Sequence, residues 1–253
     1  MVYEAHVKGV VLAGGQGKRL RPLTYYFQKC MIPVGYQQKP LLEYVVRLLE
    51  KHAVTHLTLL VGYKHEQIVN YFNSGERFGV KIQYVHDEDG VKGTGASLLN
   101  AYAKGAIGDG DTLLIYYGDI ISAVDLSEML AKHFEADATA TLALSQGYQV
   151  RVGVAELAAN RVTGWREKPH LGIHAGIGIL VLSAAAIPEL VTLQKSVSEL
   201  DLMSHLIPHL IAKKAVVQAY PTSAFWYDVG SAERYEKLDN GFVEENLHGL
   251  FTV

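Results

Sequence analysis

The sequence contains little of what secreted, membrane-spanning or nucleic-acid-binding proteins need. Cys30 is the one cysteine among 253 residues, so the chain has no internal disulfide, which suits a reducing compartment. The apolar run 10–13 is too short for a signal peptide or a membrane span, and no later run is longer than a buried strand. Lys and Arg number 23 against 26 Asp and Glu, which argues against nucleic acid or an anionic membrane as a partner. We therefore expect a soluble, cytoplasmic globular protein.

The composition and the apolar pattern indicate an α/β protein. Hydrophobic residues make up 49% of the chain, enough to bury a full core, and no linker or repeat divides it. Apolar runs predict buried strands at residues 8–12, 57–61, 80–85, 113–117 and 138–144. Amphipathic stretches predict helices at residues 41–52, 66–72, 94–102 and 126–134, with Glu43 and Arg47 off the apolar face of the first. This alternation is typical of parallel βαβ units.

After residue 145 the pattern changes to short strands separated by turns, at residues 152–156, 161–166 and 176–182. Helical stretches at 202–211 and 231–246 flank a last predicted strand at 216–220. We predict a doubly wound, mostly parallel, Rossmann-like sheet with a small mixed-sheet subregion. The chain 1–253 is expected to be a single domain, with halves 1–145 and 146–230 and a C-terminal helix in 231–253.

A glycine-rich loop follows the first predicted strand, where open α/β sheets usually bind phosphate. Glycines within residues 14–17 would let the backbone approach an anion, and Lys18 and Arg19 would neutralise it. The dinucleotide fingerprint G-x-G-x-x-G fails, because Leu20 occupies the third glycine position counting from Gly15. The P-loop motif fails too, because Arg19 follows Lys18 where serine or threonine is needed. An ordinary tight turn is the alternative interpretation of the glycines alone.

The residues around this loop extend the pattern well beyond the glycines. Residues 12–24 read LAGGQGKRLRPLT, and KCMIPVG at 29–35 and KPLL at 39–42 follow. These motifs resemble the opening of the sugar-1-phosphate nucleotidyltransferases, the NDP-sugar pyrophosphorylases. Their pattern is roughly L-A-G-G-x-G-[ST]-R-L-x-P-L-T, then P-K-x-[ML]-[LI]-P-[VI], then K-P-[LM]-[LI]. The resemblance covers nearly the whole chain, from residue 8 to about 246, and implies a minimal, single-domain member.

The resemblance assigns roles to the first motifs. It implies that Arg19 and Lys29 are catalytic, with Arg19 at the β- and γ-phosphates of a nucleoside triphosphate and Lys29 at the α-phosphate. The nucleotide-binding residues that it implies here are Leu12, Gly14, Gly15, Gly17 and Lys18. Lys18 replaces the usual small hydroxyl residue, and Gln28 and Cys30 flank Lys29 where proline is frequent.

Two aspartates are implied metal ligands. Asp119 belongs to a Gly-Asp pair after the predicted strand 113–117, and Asp228 lies in FWYDVGS, residues 225–231, which resembles the family's W-x-D-[IV]-G-[ST]. The resemblance implies that both carboxylates hold Mg²⁺, which prefers one or two carboxylates plus phosphate oxygens. An aspartate in a turn and a helix cap at Ser231 are the alternative interpretations.

The segment EDGVKGTG, residues 88–95, resembles the base-contacting segment of the family. Gly93 and Thr94 would lie at the base, with Glu88 or Asp87 near its edge. An acidic surface turn is the alternative interpretation.

Three short motifs, VGV, EKP and AGI at residues 152–154, 167–169 and 175–177, occur in this order in the sugar-phosphate half of the family's pocket. The sugar-phosphate-binding residues implied here are Gly153, Glu167, Lys168, His174 and Ala175. Lys168 would bind the phosphate and Glu167 the sugar hydroxyls. His174 stands where many members have asparagine, which leaves the identity of the sugar open. By the same resemblance, residues 1–145 form the nucleotide-binding half and 146–230 the sugar-phosphate-binding half.

The implied reaction joins a nucleoside triphosphate and a hexose 1-phosphate into an NDP-sugar and pyrophosphate. Lys29-x-Met-Ile-Pro favours UTP or dTTP with glucose 1-phosphate, which we prefer slightly, while Gly93-Thr94-Gly95 is compatible with mannose 1-phosphate guanylyltransferases.

A homo-oligomer is compatible with the sequence. A non-catalytic, nucleotide-sugar-binding regulatory subunit is a further alternative, although such a member would be expected to lose one of the implied catalytic or metal-binding residues. A zinc site lacks support, because neither His205 and His209 nor His170 and His174 has a third partner by spacing.

Overall fold

A seven-stranded sheet organises the part of the chain that the computed structural model describes, residues 7–88, 90–150 and 152–251. The strands are β1 (Val7–Ala13), β2 (Pro33–Val34), β3 (Lys39–Pro40), β4 (His56–Val61), β5 (Lys81–His86), β6 (Thr112–Tyr117), β7 (Ile120–Ser122), β8 (Ala140–Gln149), β9 (Val154–Ala158), β10 (Arg161–Arg166), β11 (His170–Ser183), β12 (Val217–Thr222) and β13 (Trp226–Asp228). The large sheet has the order β12-β8-β11-β6-β1-β4-β5. Within it β11 runs antiparallel to β6 and β8, and the other described pairs are parallel.

Helices cover both faces of this sheet. They are α1 (Leu41–Lys51), α2 (His65–Phe72), α3 (Thr94–Ala103), α4 (Leu126–Glu135), α5 (Ile187–Gln194), α6 (Ile207–Ala212), α7 (Ala232–Glu236) and α8 (Asn240–Leu247), and a π-helical turn, Leu202–Leu206, precedes α6. One core contains buried side chains of α1, α2, α4 and α8, and the other contains those of α3, α5 and α6. This arrangement confirms the predicted doubly wound, mostly parallel sheet. Among the described residues, no helix is long and apolar enough to cross a membrane.

The second half differs from the prediction in two places. Residues 176–182 were expected in a small separate sheet, but they belong to β11, which lies inside the central sheet. Their side chains are mostly buried, as expected for a strand covered on both faces, and β9 and β10 alone form the small hairpin sheet. The predicted helix 231–246 is two helices, because Asp239 caps α8 by accepting hydrogen bonds from Gly241 N at 2.8 Å and Phe242 N at 3.2 Å.

The sheet order places a binding crevice next to β1. The chain runs from β1 to β4 and β5 on one side, then returns to β6 on the other side. Ligands of open α/β sheets bind beyond the carboxyl ends of the strands at such a reversal. The predicted single domain 1–253 also includes residues 1–6, 89, 151, 252 and 253, which lie outside the described residues.

Candidate active site

A cavity of about 500 Å³ opens at the carboxyl ends of β1 and β6. Its lining combines loop glycines, two cations, three carboxylates and apolar side chains: Leu12, Ala13, Gly14, Gly15, Arg19, Lys29, Cys30, Leu60, Asp87, Val91, Gly93, Thr94, Ser97, Tyr117, Asp119, Ile120 and Asp228. The structure therefore brings nine of the predicted nucleotide, catalytic and metal residues to one cavity, namely Leu12, Gly14, Gly15, Arg19, Lys29, Gly93, Thr94, Asp119 and Asp228.

The glycine loop shapes the cationic end of the cavity. Gly17 has φ +60°, and a Cβ there would lie 2.7 Å from Thr24 and 3.1 Å from Lys29. Glycine therefore both adopts this backbone conformation and lets Lys29 pack against the loop. Gly17 itself and the exposed Lys18 lie outside the cavity lining, whereas Arg19 and Lys29 are part of it.

Pairing of two short strands brings the predicted metal ligands together. Asp119 precedes β7, Asp228 ends β13, and these strands pair with Asp228 opposite Ile120. Val229 N also donates to the carbonyl oxygen of Asp119 at 2.9 Å. Burial raises the pKa of Asp228, and the nearby Asp119 raises it further. The two carboxylates therefore disfavour each other's charge unless a cation compensates.

Three cations surround these carboxylates. Lys29 forms an ion pair with Asp119, and Arg234, within α7, forms one with Asp228. Arg234, Lys29 and Arg19 each lower the pKa of Asp228, in opposition to burial. Two carboxylates without a third protein ligand fit Mg²⁺, because this ion commonly completes its shell with water and substrate phosphates. In the described part of the chain, no group of three or more His, Cys, Asp or Glu residues could hold a metal.

The opposite part of the cavity is built on the loop before α3. Gly93 has φ +92°, and a Cβ there would overlap the carbonyl oxygen of Leu200. Thr94 Oγ1 donates to Asp201 Oδ2 at 2.8 Å and accepts from Leu202 N at 2.9 Å. The segment 200–202 therefore holds the loop that lines the cavity.

Of the two acidic residues expected near a base, Asp87 lines the cavity. Its carboxylate accepts from Ser97 Oγ at 2.6 Å and from Asn100 Nδ2 at 3.3 Å. The side chain of Glu88 is 70% exposed and forms an ion pair with Lys104 at 2.8 Å, outside the lining.

The residues predicted for the sugar phosphate lie outside the cavity lining. Gly153 precedes β9, and a Cβ there would overlap the ring of Trp165, so the glycine makes room for this ring. Trp165 Nε1 donates to Glu167 Oε2 at 3.3 Å, and Lys168 follows with φ +43°. The remaining two, His174 and Ala175, lie on β11.

Comparison with known proteins decides the family. The sequence profile of the family "Nucleotidyl transferase" matches residues 8–245. The chain belongs to this family. It is 30% identical to the D-glycero-alpha-D-manno-heptose 1-phosphate guanylyltransferase of Aneurinibacillus thermoaerophilus, over 91% of this chain and 96% of that protein. It is 29% identical to the UTP–glucose-1-phosphate uridylyltransferase of Synechocystis sp., over 96% of this chain and 65% of that protein, and so spans about two thirds of that relative.

A solved structure gives the same fold. HddC of Yersinia pseudotuberculosis, in complex with GMP-PN, superimposes with a TM-score of 0.68 at 21% identity, covering 94% of this chain and 99% of that one. The family expected from the motifs, a family of nucleotidyltransferase enzymes, is confirmed.

Sequence reasoning missed several residues of this nucleotidyl transferase site. Arg234 and Ser97 lie on helix turns, and no motif marks them. Tyr117 lines the cavity, and burial raises the pKa of its hydroxyl to about 12, while Thr94 beside it acts in the opposite direction. Asp87 is not one of the missed residues, since it was one of the two acidic residues expected near the base, and it directly follows β5, whose carboxyl end faces the crevice. Cys30 lines the cavity as well, but burial raises the pKa of its thiol to about 12, so it stays protonated.

Proposed function

We propose that this family member transfers a nucleotidyl group from a nucleoside triphosphate to a sugar 1-phosphate, with release of pyrophosphate. The observation that carries the proposal is the convergence of Arg19, Lys29, Asp119 and Asp228 on one cavity beside the glycine loop. An oxygen of the sugar phosphate, already ionised at neutral pH, attacks the α-phosphorus, so no protein nucleophile is needed. The work of the site is to align two polyanions and to neutralise their charge.

The cations of the chain divide this task. Arg19, which follows the glycine loop, neutralises the β- and γ-phosphates, and Lys29 neutralises the α-phosphate and the charge that develops there. Asp119 and Asp228 would hold Mg²⁺, which supplies further neutralisation of phosphate oxygens when it is bound. Before substrate arrives, Lys29 and Arg234 compensate the same carboxylates, as their ion pairs support.

We further propose that the base is guanine, on the evidence of Asp87. A carboxylate only accepts hydrogen bonds, and guanine presents two adjacent donors, N1–H and the 2-amino group. Uracil and thymine present one donor between two carbonyl acceptors, which a carboxylate repels. Ser97 and Asn100 fix the Asp87 carboxylate, and a site built for specific hydrogen bonds discriminates strongly against a base that lacks them.

The UTP or dTTP reaction with glucose 1-phosphate is the second candidate. The Synechocystis relative, named for UTP and glucose 1-phosphate, supports it, as does the Lys29-x-Met-Ile-Pro segment. The guanylyltransferase relative that acts on a manno-heptose 1-phosphate supports the first candidate instead. For the acceptor, the proposed residues remain those of the hairpin and β11: Gly153, Glu167, Lys168, His174 and Ala175. Cytoplasmic location and homo-oligomerisation are likewise proposals.

The test is Mg²⁺-dependent pyrophosphate release with five nucleoside triphosphates, each combined with the 1-phosphates of glucose, mannose, galactose, N-acetylglucosamine and a manno-heptose. We expect GTP to be the preferred nucleotide, and Asp87→Asn to reduce that preference. Preference for UTP or dTTP would contradict the guanine assignment and support the second candidate. No turnover by folded protein across the panel would favour the regulatory, nucleotide-sugar-binding role.

A further inference from the structure

Gln28 precedes Lys29 and is fully buried, with 0% of its surface exposed. Its side-chain amide makes two hydrogen bonds in opposite directions. Nε2 donates to the carbonyl oxygen of Ala13 at 2.6 Å, and Oε1 accepts from Cys30 N at 2.5 Å. Because one partner is an acceptor and the other a donor, only one orientation of the amide satisfies both. A buried side chain held in this way has one conformation.

Both partners of the amide line the candidate active-site cavity, as Lys29 does. Ala13 ends β1 and begins the glycine loop, while Cys30 lies within the short 3₁₀ turn, Lys29–Met31. Gln28 is therefore the cap of the turn that carries Lys29, and the same side chain ties this turn to the loop proposed to bind phosphate.

The main chain of Gln28 is held from a second direction. Its N–H donates to Gln67 Oε1 at 2.6 Å, and Gln67 Nε2 donates to the carbonyl oxygen of Tyr26 at 2.7 Å. Gln67 belongs to α2, which packs in the core on that face of the sheet. A proline at position 28 has no N–H and could not make the bond to Gln67. The two glutamines together replace the fixed backbone that a proline would give.

We infer that Gln28, supported by Gln67, is a positioning residue that sets the place of Lys29 relative to the glycine loop. This inference rests on the proposed function, in which Lys29 neutralises the α-phosphate during transfer. Small displacements of such a group are costly, since misplacement by about 1 Å can reduce a rate by about 10²-fold. Gln28 does not line the cavity, so it acts on the reaction through Lys29 and not through substrate.

The experiment compares Gln28→Met, which keeps the length of the side chain and removes both hydrogen bonds, with wild type. Initial rates are measured with the best substrate pair, at a temperature well below the unfolding midpoint of every variant. We expect kcat to fall about tenfold or more while KM for the nucleotide changes by less than about threefold, as for an interaction used mainly in the transition state. Gln67→Met should lower kcat in the same direction, and Gln67→Glu, which keeps the acceptor for Gln28 N but loses the donor to the Tyr26 carbonyl oxygen, should restore part of it.

A double-mutant cycle with Lys29→Met separates positioning from general destabilisation. If Gln28 acts through Lys29, Gln28→Met adds no further loss of kcat when Lys29 is already replaced. Thr141→Val is the matched control, because it removes a buried hydrogen bond, to His133 at 2.9 Å, between residues that do not line the cavity. It should lower stability and leave kcat and KM unchanged.

Four results would overturn the inference. Unchanged kcat in Gln28→Met, or an equal loss with and without Lys29, would show that Gln28 does not work through the lysine while leaving the proposed function intact. Full activity of Lys29→Met itself would remove the catalytic role of the lysine, and the inference would fall with that part of the proposed function. If Gln28→Met does not fold, the two Gln67 variants decide the question, and equal kcat in both would contradict the inference.

Discussion

At the scale of single residues, Glu43 shows how a partner distant in sequence changes the interpretation of a helix. Helical spacing places it off the apolar face of α1, yet it is 1% exposed. Its carboxylate accepts from Tyr71 Oη at 2.5 Å and from Arg47 Nε at 2.7 Å. The tyrosine comes from α2, so no pattern within α1 indicates the contact. Periodicity predicts which face is apolar, but not which polar groups are buried in pairs.

Glu43→Ala should therefore be strongly destabilising. It leaves Arg47 and the Tyr71 hydroxyl, both partly exposed, without their acceptor. We expect the free energy of unfolding to fall by roughly 2 kcal/mol, as when a hydrogen bond to a charged group is lost. Urea unfolding followed by circular dichroism measures this. Glu43→Gln, which keeps an acceptor for Tyr71, should lose less. A change of only about 0.5 kcal/mol in Glu43→Ala, typical of a surface substitution, would contradict the prediction.

Gly17 allows a prediction with a matched control. Gly17 and Gly105 both have left-handed φ, +60° and +72°, but a Cβ meets Thr24 and Lys29 at the first and open space at the second. Gly105→Ala should lower the free energy of unfolding only by the backbone strain, about 1 kcal/mol, and leave turnover unchanged. Gly17→Ala should cost more and also lower kcat about tenfold, because it displaces Lys29. Thermal unfolding and steady-state rates check both; equal behaviour of the two variants would show that Lys29 tolerates the displacement.

At the scale of elements, apolar runs and amphipathic stretches predict most strands and helices of the first half to within about two residues of their observed ends, although the strand predicted at 138–144 continues to Gln149 in β8. Such runs record burial directly, and buried parallel strands are nearly continuous in apolar residues. The two-residue strands β2 and β3 and the three-residue strands β7 and β13 are too short to show a period. The pairing of β7 with β13, which joins Asp119 to Asp228, connects parts of the chain that only the family resemblance links. Sequence alone therefore indicates the two aspartates, and their contact requires the structure.

Helix α4 makes stability depend on pH through two histidines. Burial lowers the pKa of His133 within α4, opposed by Asp137, and burial lowers the pKa of His52, opposed by Asp125 at the cap of α4. The unfolded chain therefore binds more protons than the folded chain just below about pH 6.5. The free energy of unfolding should decrease as the pH falls from 7 to 5.5, as measured by urea unfolding. In His133→Gln the free energy of unfolding should decrease less steeply with falling pH than in wild type, whereas His56→Gln, at an exposed position, should leave the decrease unchanged. An unchanged slope in His133→Gln would show that His133 does not cause the pH dependence.

At the scale of the whole molecule, one sheet edge collects residues from both halves of the sequence. The loop after β1, the end of β6 and the short strand β13 meet at the reversal of the sheet order, so a ligand in the cavity would contact parts of the chain that are far apart in sequence. A ligand that bridges them stabilises the folded state by mass action, and at a free concentration about 100 times its Kd the gain is about 2.7 kcal/mol. Ligand-dependent unfolding therefore tests the nucleotide and the metal without requiring turnover.

If Asp87 selects guanine as proposed, GTP with Mg²⁺ should raise the unfolding midpoint of wild type more than UTP with Mg²⁺ at the same concentration. If Asp119 and Asp228 hold Mg²⁺ as proposed, removing the metal with EDTA should abolish most of the GTP-dependent shift in wild type. In Asp119→Asn the shift should be small and insensitive to EDTA, while the unfolding midpoint without ligand stays close to that of wild type. An EDTA-sensitive shift of wild-type size in Asp119→Asn would place the metal at other residues. Equal shifts for GTP and UTP would show that Asp87 does not select the base, without contradicting the proposed nucleotidyl transfer.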